Sequence, residues 1–296
     1  MEFRTKYNNW MAMVNNALDK YIPVKDAPEK TIYEAMRYSL LGEGKRLRPI
    51  LALAVCELLG GDPDDVMPFA CAIEMIHTYS LIHDDLPVMD NDDYRRGRLT
   101  NHRVFGEAKA VLAGDSLLNL AFEIMLEDTL KAPEKMTAKV EAMAIIARAA
   151  GPSGMIGGQM IDLESENREI SAELLEYMHR CKTGALIEAP VMAAAVLCGA
   201  DPVKRELLGK YARSIGLAFQ IKDDVLDVEG CSETMGKSKG SDAKKKKQTF
   251  AVLYGLDGAK EKLRQIIEQA VTDIAVFGEK GEFLKSLARF IAERTS

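Results

Sequence analysis

The sequence predicts an all-α protein, a single helical bundle over residues 1–296. Apolar residues recur at helical spacing along nearly the whole chain, no run sustains the period-two, β-branched alternation of a strand, and no linker interrupts the pattern. At 47% hydrophobic and 28% charged, the chain can bury the core such a bundle needs.

The helices are bounded by recognisable start and stop residues. One begins near Pro49, whose fixed backbone suits a first turn, and stops at Gly60 and Gly61. The next starts after Asp62 and Pro63 and ends near Leu86, because the residue before Pro87 is pushed out of helical geometry. A polar connection, NDDYRRGRLTNHRVFG, leads to a helix from about Glu107 to Asp128, and another covers residues 134 to 150. GPSGMIGGQ reads as a glycine-rich break. Helices follow over Gln159 to Glu166, Ser171 to Cys198 and Pro202 to Val228, the last with Asp201 as its N-cap, and two more close the chain. Residues 229–248, EGCSETMGKSKGSDAKKKKQ, read as a long basic loop of a length that tends to be functional.

Bulk properties narrow the function. A net charge of −6 gives no support to a nucleic-acid partner, and an anionic ligand would need a local basic pocket. The five cysteines, Cys56, Cys71, Cys181, Cys198 and Cys231, are widely spaced and form no C-x-x-C pair. Neither a disulfide framework nor a zinc ribbon is expected, and a reducing cytoplasm fits. The N-terminus lacks the apolar core of a signal peptide, and the most apolar run, GALIEAPVMAAAVLCGA, is interrupted by Glu188 and Pro190. Neither export nor a membrane span is expected.

Two crowdings of carboxylates stand out, SLIHDDLPVMD at residues 80–90 and FQIKDDVLD at residues 219–227. Like charges this close repel, so each cluster either faces open water or holds cations. On a helix Asp223 and Asp224 fall four and three residues before Asp227, and Gln220 joins their stripe. His77 and Asp84 stand about two turns apart on one face, with Asp85 adjacent and Asp90 able to fold back from the loop. Six carboxylates without cysteine partners suit a hard cation, and Mg²⁺ binds through a few carboxylates plus substrate phosphates. Cations to match are present in GKRLRP (Lys45, Arg46, Arg48) and RRG (Arg95, Arg96), since arginine forks fit phosphate oxygens. Lys182 and Thr183 interrupt an apolar helix, and Lys237 with the run Lys244 to Lys247 lies in the long loop, where such residues either stay solvated or close over phosphate.

Taken together, GKRLRP, DDLPVMD, RRG, CKTG, GGQMID and FQIKDDVLD resemble the trans-prenyl diphosphate synthases over almost the whole chain. The gap between Asp85 and Asp90, longer than that between Asp224 and Asp227, is similar to the bacterial farnesyl type within that family. The resemblance implies an isoprenoid-synthase bundle around a central cavity, a homodimer, and three Mg²⁺ ions per active site, with isopentenyl diphosphate joined to dimethylallyl and then geranyl diphosphate. By it, Asp84, Asp90 and Asp223 hold the metal with Asp85, Asp224 and Asp227 in support. Arg95, Lys182 and Lys237 hold the allylic diphosphate, with Lys247 a further ligand, although Lys246 stands where the family usually has glycine. Lys45, Arg48, His77 and Arg96 match the isopentenyl diphosphate positions, and Gln159 and Asp162 match a wall near the allylic site. The resemblance places the carbonyl dipoles near Lys182 and Thr183, with the Gln220 side chain, to steady a carbocation. Tyr79, about 7.5 Å before Asp84 along the helix axis, is the family's usual stop for a C15 chain, while helical projection puts Ser80 more directly below Asp84.

Other readings remain open at this point. A chain stop other than Tyr79 would leave a geranyl or geranylgeranyl diphosphate synthase. Glu74-x-x-His77 and Glu176-x-x-His179 have the spacing of a di-iron carboxylate bundle. A non-catalytic partner subunit could keep the fold without the reaction.

Overall fold

Helix ends fall close to the start and stop residues of the sequence. The structure, a computed structural model, describes residues 2–24, 26–229 and 249–294. In chain order the helices are α1 (Glu2–Tyr21), α2 (Lys30–Leu40), α3 (Leu47–Leu59), α4 (Pro63–Asp84), α5 (Asn101–Phe105), α6 (Glu107–Lys131), α7 (Met136–Ala150), α8 (Met155–Glu164), α9 (Ala172–His179), α10 (Ala185–Leu197), α11 (Pro202–Glu229), α12 (Phe250–Ala275) and α13 (Glu282–Glu293). Between α4 and α5 lies a two-stranded antiparallel hairpin, β1 (Tyr94–Arg95) and β2 (Arg98–Leu99).

Asp62 caps α4 by accepting from the Asp64 N–H at 3.0 Å, with Pro63 in the first turn. Asp201 does the same for α11, accepting from the Lys204 N–H at 2.9 Å. Helix α3 starts at Leu47, earlier than Pro49, so the proline occupies a first turn where its missing N–H leaves no bond unmade. Helix α4 ends at Asp84, short of Leu86, because the chain already turns at residues 85–89 to accommodate Pro87.

Two expectations need correction. The glycine-rich break is shorter than GPSGMIGGQ, since Met155 to Gln159 already belong to α8. These glycines serve close packing: a Cβ on Gly158 would collide with the backbone of Lys182, and one on Gly157 with the Pro152 carbonyl. The helix expected over Ser171 to Cys198 is divided by a π-helical turn at Arg180–Gly184, which holds Lys182 and Thr183.

Two clusters of buried apolar side chains fill the bundle, one centred on α3, α11, α12 and α13, the other on α4, α6 and α7. Helix α10 feeds both, with Ile187, Val191 and Ala194 in the first and Leu186, Ala189 and Ala193 in the second. A helix buried all round is anchored from every side. The π-turn at its N-terminal end is therefore held firmly, which matters for the side chains it presents. Among the described residues no helix is long and apolar enough to cross a membrane.

Candidate active site

The first acidic wall forms where α4 runs out. The Asp90 N–H donates to the Asp84 carbonyl at 2.8 Å and the Asn91 N–H to the Leu86 carbonyl at 3.1 Å, folding Asp90 back beside the helix end. Asp84 and Asp90 are half-buried, while Asp85 is buried. Arg95 grips Asp85 from above, its Nε donating to the two carboxylate oxygens at 2.8 and 2.9 Å and its Nη2 to Oδ1 at 2.6 Å. Burial alone would lower the Arg95 guanidinium, but Asp85 outweighs it and holds the group above its ordinary value. Arg95 pairs with Arg98 across the hairpin, so Arg96 and Gly97 make the two-residue turn, both at positive φ (52° and 74°). That turn sends Arg96 the other way, to donate to the Glu43 carbonyl at 2.6 Å.

A cationic floor comes from the loop entering α3. Of the three cations in GKRLRP, Arg46 is structural: it is buried at φ 50° and donates to Asn15 Oδ1 (2.8 Å), Glu74 Oε1 (3.1 Å), and the Leu40 and Gly42 carbonyls (2.9 and 2.7 Å). Arg48 is buried with its Nε unpartnered, and burial pulls its guanidinium down to about 10. Lys45, at the rim, is lowered by partial burial and by Arg294. Burial first, then Arg48, Arg96, Arg95 and Arg46, hold His77 well below the ordinary histidine value, so it stands neutral. Asp223 and Arg96 both act on Lys45 and Arg48, so this floor lies within reach of both walls. Such a concentration of desolvated positive charge favours a polyanion.

The second wall runs along α11. Asp224 is buried, accepting from Gln220 Nε2 at 2.9 Å and from the Phe250 N–H, the first of α12, at 2.8 Å. Asp223 accepts from Arg294 Nη2 at 2.6 Å, and the guanidinium of Arg294 lies 3.8 Å over the Phe219 ring. Thr183 donates to Gln220 Oε1 at 3.1 Å, and Lys182 pairs with buried Asp162 at 2.7 Å. Gln159, on the same helix as Asp162, has a buried side-chain oxygen without a partner. Asp227 is half-buried near the end of α11.

Below the first wall, Tyr79 is buried with its hydroxyl unpartnered, its ring edge-on to His83 at 5.6 Å, and burial pushes its phenol up to about 12. Ser80 is half-buried and donates to the His77 carbonyl at 2.8 Å. The contacts tie Asp84, Asp85, Asp90 and Arg95 into one group and Asp162, Lys182, Thr183, Gln220 and Asp224 into another, with Lys45, Arg48, His77 and Arg96 forming the floor. Lys237, Lys247 and the rest of the Lys244 to Lys247 run lie outside the described residues. Sequence reasoning missed Arg294, Glu74 as the buried counter-charge to Arg46, and the Phe250 N–H. Only the amphipathic helix before Arg294 hinted at its placement.

The donor set fits Mg²⁺ in a particular way. Among the described residues no three His, Cys, Asp or Glu side chains converge on one point. A cation here would take a carboxylate or two from a wall and complete its shell with substrate oxygens, which is how Mg²⁺ is commonly bound. The same observation removes the di-iron arrangement: Glu74 is committed to Arg46, Glu176 pairs with Lys262, and His179 stacks on Phe250 at 5.5 Å.

Comparison with known proteins agrees. A polyprenyl synthetase family model matches residues 29–280. A farnesyl diphosphate synthase of Geobacillus stearothermophilus is 46% identical, covering 97% of this chain and 96% of the relative. A geranylgeranyl diphosphate synthase of Cyanophora paradoxa is also 46% identical, covering 96% and 94%. An apo crystal structure of a FPP/GFPP synthase from Zymomonas mobilis superposes with a TM-score of 0.88 at 38% identity, covering 98% and 99%.

Proposed function

The chain belongs to the polyprenyl synthetase family, as a trans-prenyl diphosphate synthase and thus a prenyltransferase, and on that premise we propose that it makes farnesyl diphosphate by adding isopentenyl diphosphate to dimethylallyl and then geranyl diphosphate. The observation that supports the site reading is the cationic floor of Lys45, Arg48 and Arg96 beside the two aspartate walls. Arg48, Arg96 and Lys45 bind the isopentenyl diphosphate, with neutral His77 as an uncharged hydrogen-bonding partner. Arg95 and Lys182, each oriented by a carboxylate, bind the allylic diphosphate. Asp84, Asp90 and Asp223 would hold Mg²⁺, with Asp85, Asp224 and Asp227 behind them. When bound, that metal supplies Lewis-acid stabilisation of the leaving pyrophosphate.

The remaining chemistry belongs to the polypeptide. Asp224 draws the Gln220 amide group toward itself, leaving Oε1 paired with Thr183. The electronegative end of that amide, with the Thr183 hydroxyl, steadies positive charge developing on the allyl carbon. Attack of the isopentenyl double bond forms the new C–C bond, and the departing pyrophosphate takes the proton, so no protein base is assigned.

Product length rests on Tyr79, whose buried ring below Asp84 supports a C15 stop. The equal identity to a geranylgeranyl synthase supports the longer product as the second reading. The test is incubation with Mg²⁺, labelled isopentenyl diphosphate and dimethylallyl diphosphate, then chromatography of the dephosphorylated alcohols. C15 is expected, lengthening in Tyr79→Ala; a C20 main product from the unaltered protein would replace the farnesyl reading, and no product at all would leave a non-catalytic subunit.

A further inference from the structure

Away from the acidic walls, two thiols from distant parts of the chain meet. Cys56 sits in the last turn of α3 and Cys198 is the residue that ends α10. Both helices terminate in the same way, with a left-handed glycine, Gly60 at φ 72° and Gly199 at φ 67°. The segment leaving α3 then passes over both sulfurs. A Cβ built on Gly61 would collide with Cys198 Sγ and stand 3.2 Å from Cys56 Sγ, so the two sulfurs border one Cβ-sized space. Only glycine fits there without moving a sulfur.

The two thiols differ in character. Cys56 is fully buried, whereas Cys198 is half-exposed beside the exposed Gly199. Their mutual hydrogen bond is the largest influence on each, raising the Cys56 thiol and lowering Cys198 against the opposing effects of burial and Asp65. The accessible sulfur is thus the one more readily ionised, and the buried sulfur stands behind it as a proton donor. The other described cysteines differ: Cys71 is fully buried, and Cys181 donates toward the Ser153 carbonyl at 4.0 Å.

We propose that Cys56 and Cys198 are an oxidative modification site, in which peroxide converts the pair to a disulfide tying the end of α3 to the end of α10. The Cys198 thiolate attacks the peroxide O–O bond, giving a sulfenic acid and hydroxide. The Cys56 sulfur then attacks the sulfenic sulfur and displaces its hydroxyl as water. In sum two thiols and one peroxide give one disulfide and two waters. A small dithiol returns both thiols by thiol–disulfide exchange, supplying the two electrons. Because the loop closed by this bond spans most of the first two-thirds of the chain, the oxidised form is the more constrained of the two.

The experiment uses the reduced full-length protein, hydrogen peroxide, alkylation under denaturing conditions and non-reducing peptide mass spectrometry. A cross-linked species joining the Cys56 and Cys198 peptides is expected, losing both thiols together and disappearing with dithiothreitol. In Cys56→Ser, dimedone is expected to trap the Cys198 sulfenic acid, and in Cys198→Ser the Cys56 thiol is expected to persist. Persistence of both thiols in the unaltered protein while Cys71 or Cys231 oxidises overturns the proposal. So does cross-linking through any other pair. The wild-type cross-link decides the matter even if a serine variant folds poorly, and none of these readouts depends on turnover.

Discussion

At the end of α4 the buried Asp85 is gripped by the Arg95 fork at 2.6 to 2.9 Å, while on α11 the equally buried Asp224 accepts from the Gln220 amide and from the Phe250 N–H that opens α12. Both walls read DD in sequence, and in each pair the first aspartate is the half-buried one. The second, turned inward, organises what surrounds it. Asp85 orients a cation on the β1–β2 hairpin toward the first wall. Asp224 instead fixes an amide dipole and caps the start of α12, doing with a distant carboxylate what an N-cap does locally. A doubled aspartate is therefore two residues with two tasks, one half-buried and proposed to meet the ligand, the other buried against the scaffold.

The largest effect separates those tasks. Asp84→Ala and Asp223→Ala should each reduce turnover by about 10³-fold, because the loss is of transition-state charge stabilisation, with little change in thermal midpoint for Asp84→Ala but a lower one for Asp223→Ala, which takes a carboxylate from the buried Arg294. Steady-state assay of each variant beside a melting curve checks this. Turnover unchanged in Asp84→Ala would remove the metal assignment.

The inner pair should behave in the reverse sense. Asp85→Asn leaves Arg95, only about a fifth exposed, with Asp92 at 4.0 Å in place of the close Asp85 fork, and should cost about 3 kcal/mol of stability. Asp224→Asn keeps a hydrogen-bonding side chain but weakens two bonds to a charged acceptor, about 2 kcal/mol. Urea unfolding ranks the two. Equal costs would mean that loosening the Arg95 fork and weakening the Gln220 and Phe250 bonds weigh alike, and the contrast between the walls would collapse.

How much of this the sequence revealed depends on the reach of each interaction. The helices were readable because periodicity and caps are local: Asp62, Asp201 and the glycine ending α3 act within four residues of themselves. The positions in the two walls were readable because DD, RRG and GKRLRP are short. What the sequence hid was long-range. Nothing near Asp224 points to the Phe250 N–H, nor anything near Asp223 to Arg294 at the far end of the chain. Arg46 shows the same limit from the other side. Its letters match those of Lys45 and Arg48, but a backbone at φ 50° and Glu74 from α4 turn it into the scaffold. The π-turn was hidden for a different reason, since its residues would suit an α-helix equally well, and the close packing of Gly158 against Lys182 and of Gly216 against Gly184 is long-range.

The smallest effect lies between the walls, at His77. Burial and four arginines depress its native value, while in the unfolded chain it titrates near 6.5. Below about pH 6.5 the unfolded state therefore binds a proton that the native state refuses. Its contribution to stability is present above that pH and is lost as pH falls, by up to about 1.4 kcal/mol per unit until the depressed native value is reached. Comparing pH 6.5 with 5.5, the native protein should lose about 1 kcal/mol more than His77→Gln, as read by urea midpoints. The arginines responsible belong to the floor proposed to bind diphosphate. Inorganic pyrophosphate should therefore shrink the pH difference, since an anion beside Arg48 and Arg96 offsets the field that keeps His77 neutral. A pH dependence indifferent to both the substitution and the anion would detach His77 from that floor, and with it the argument that the two walls serve one site.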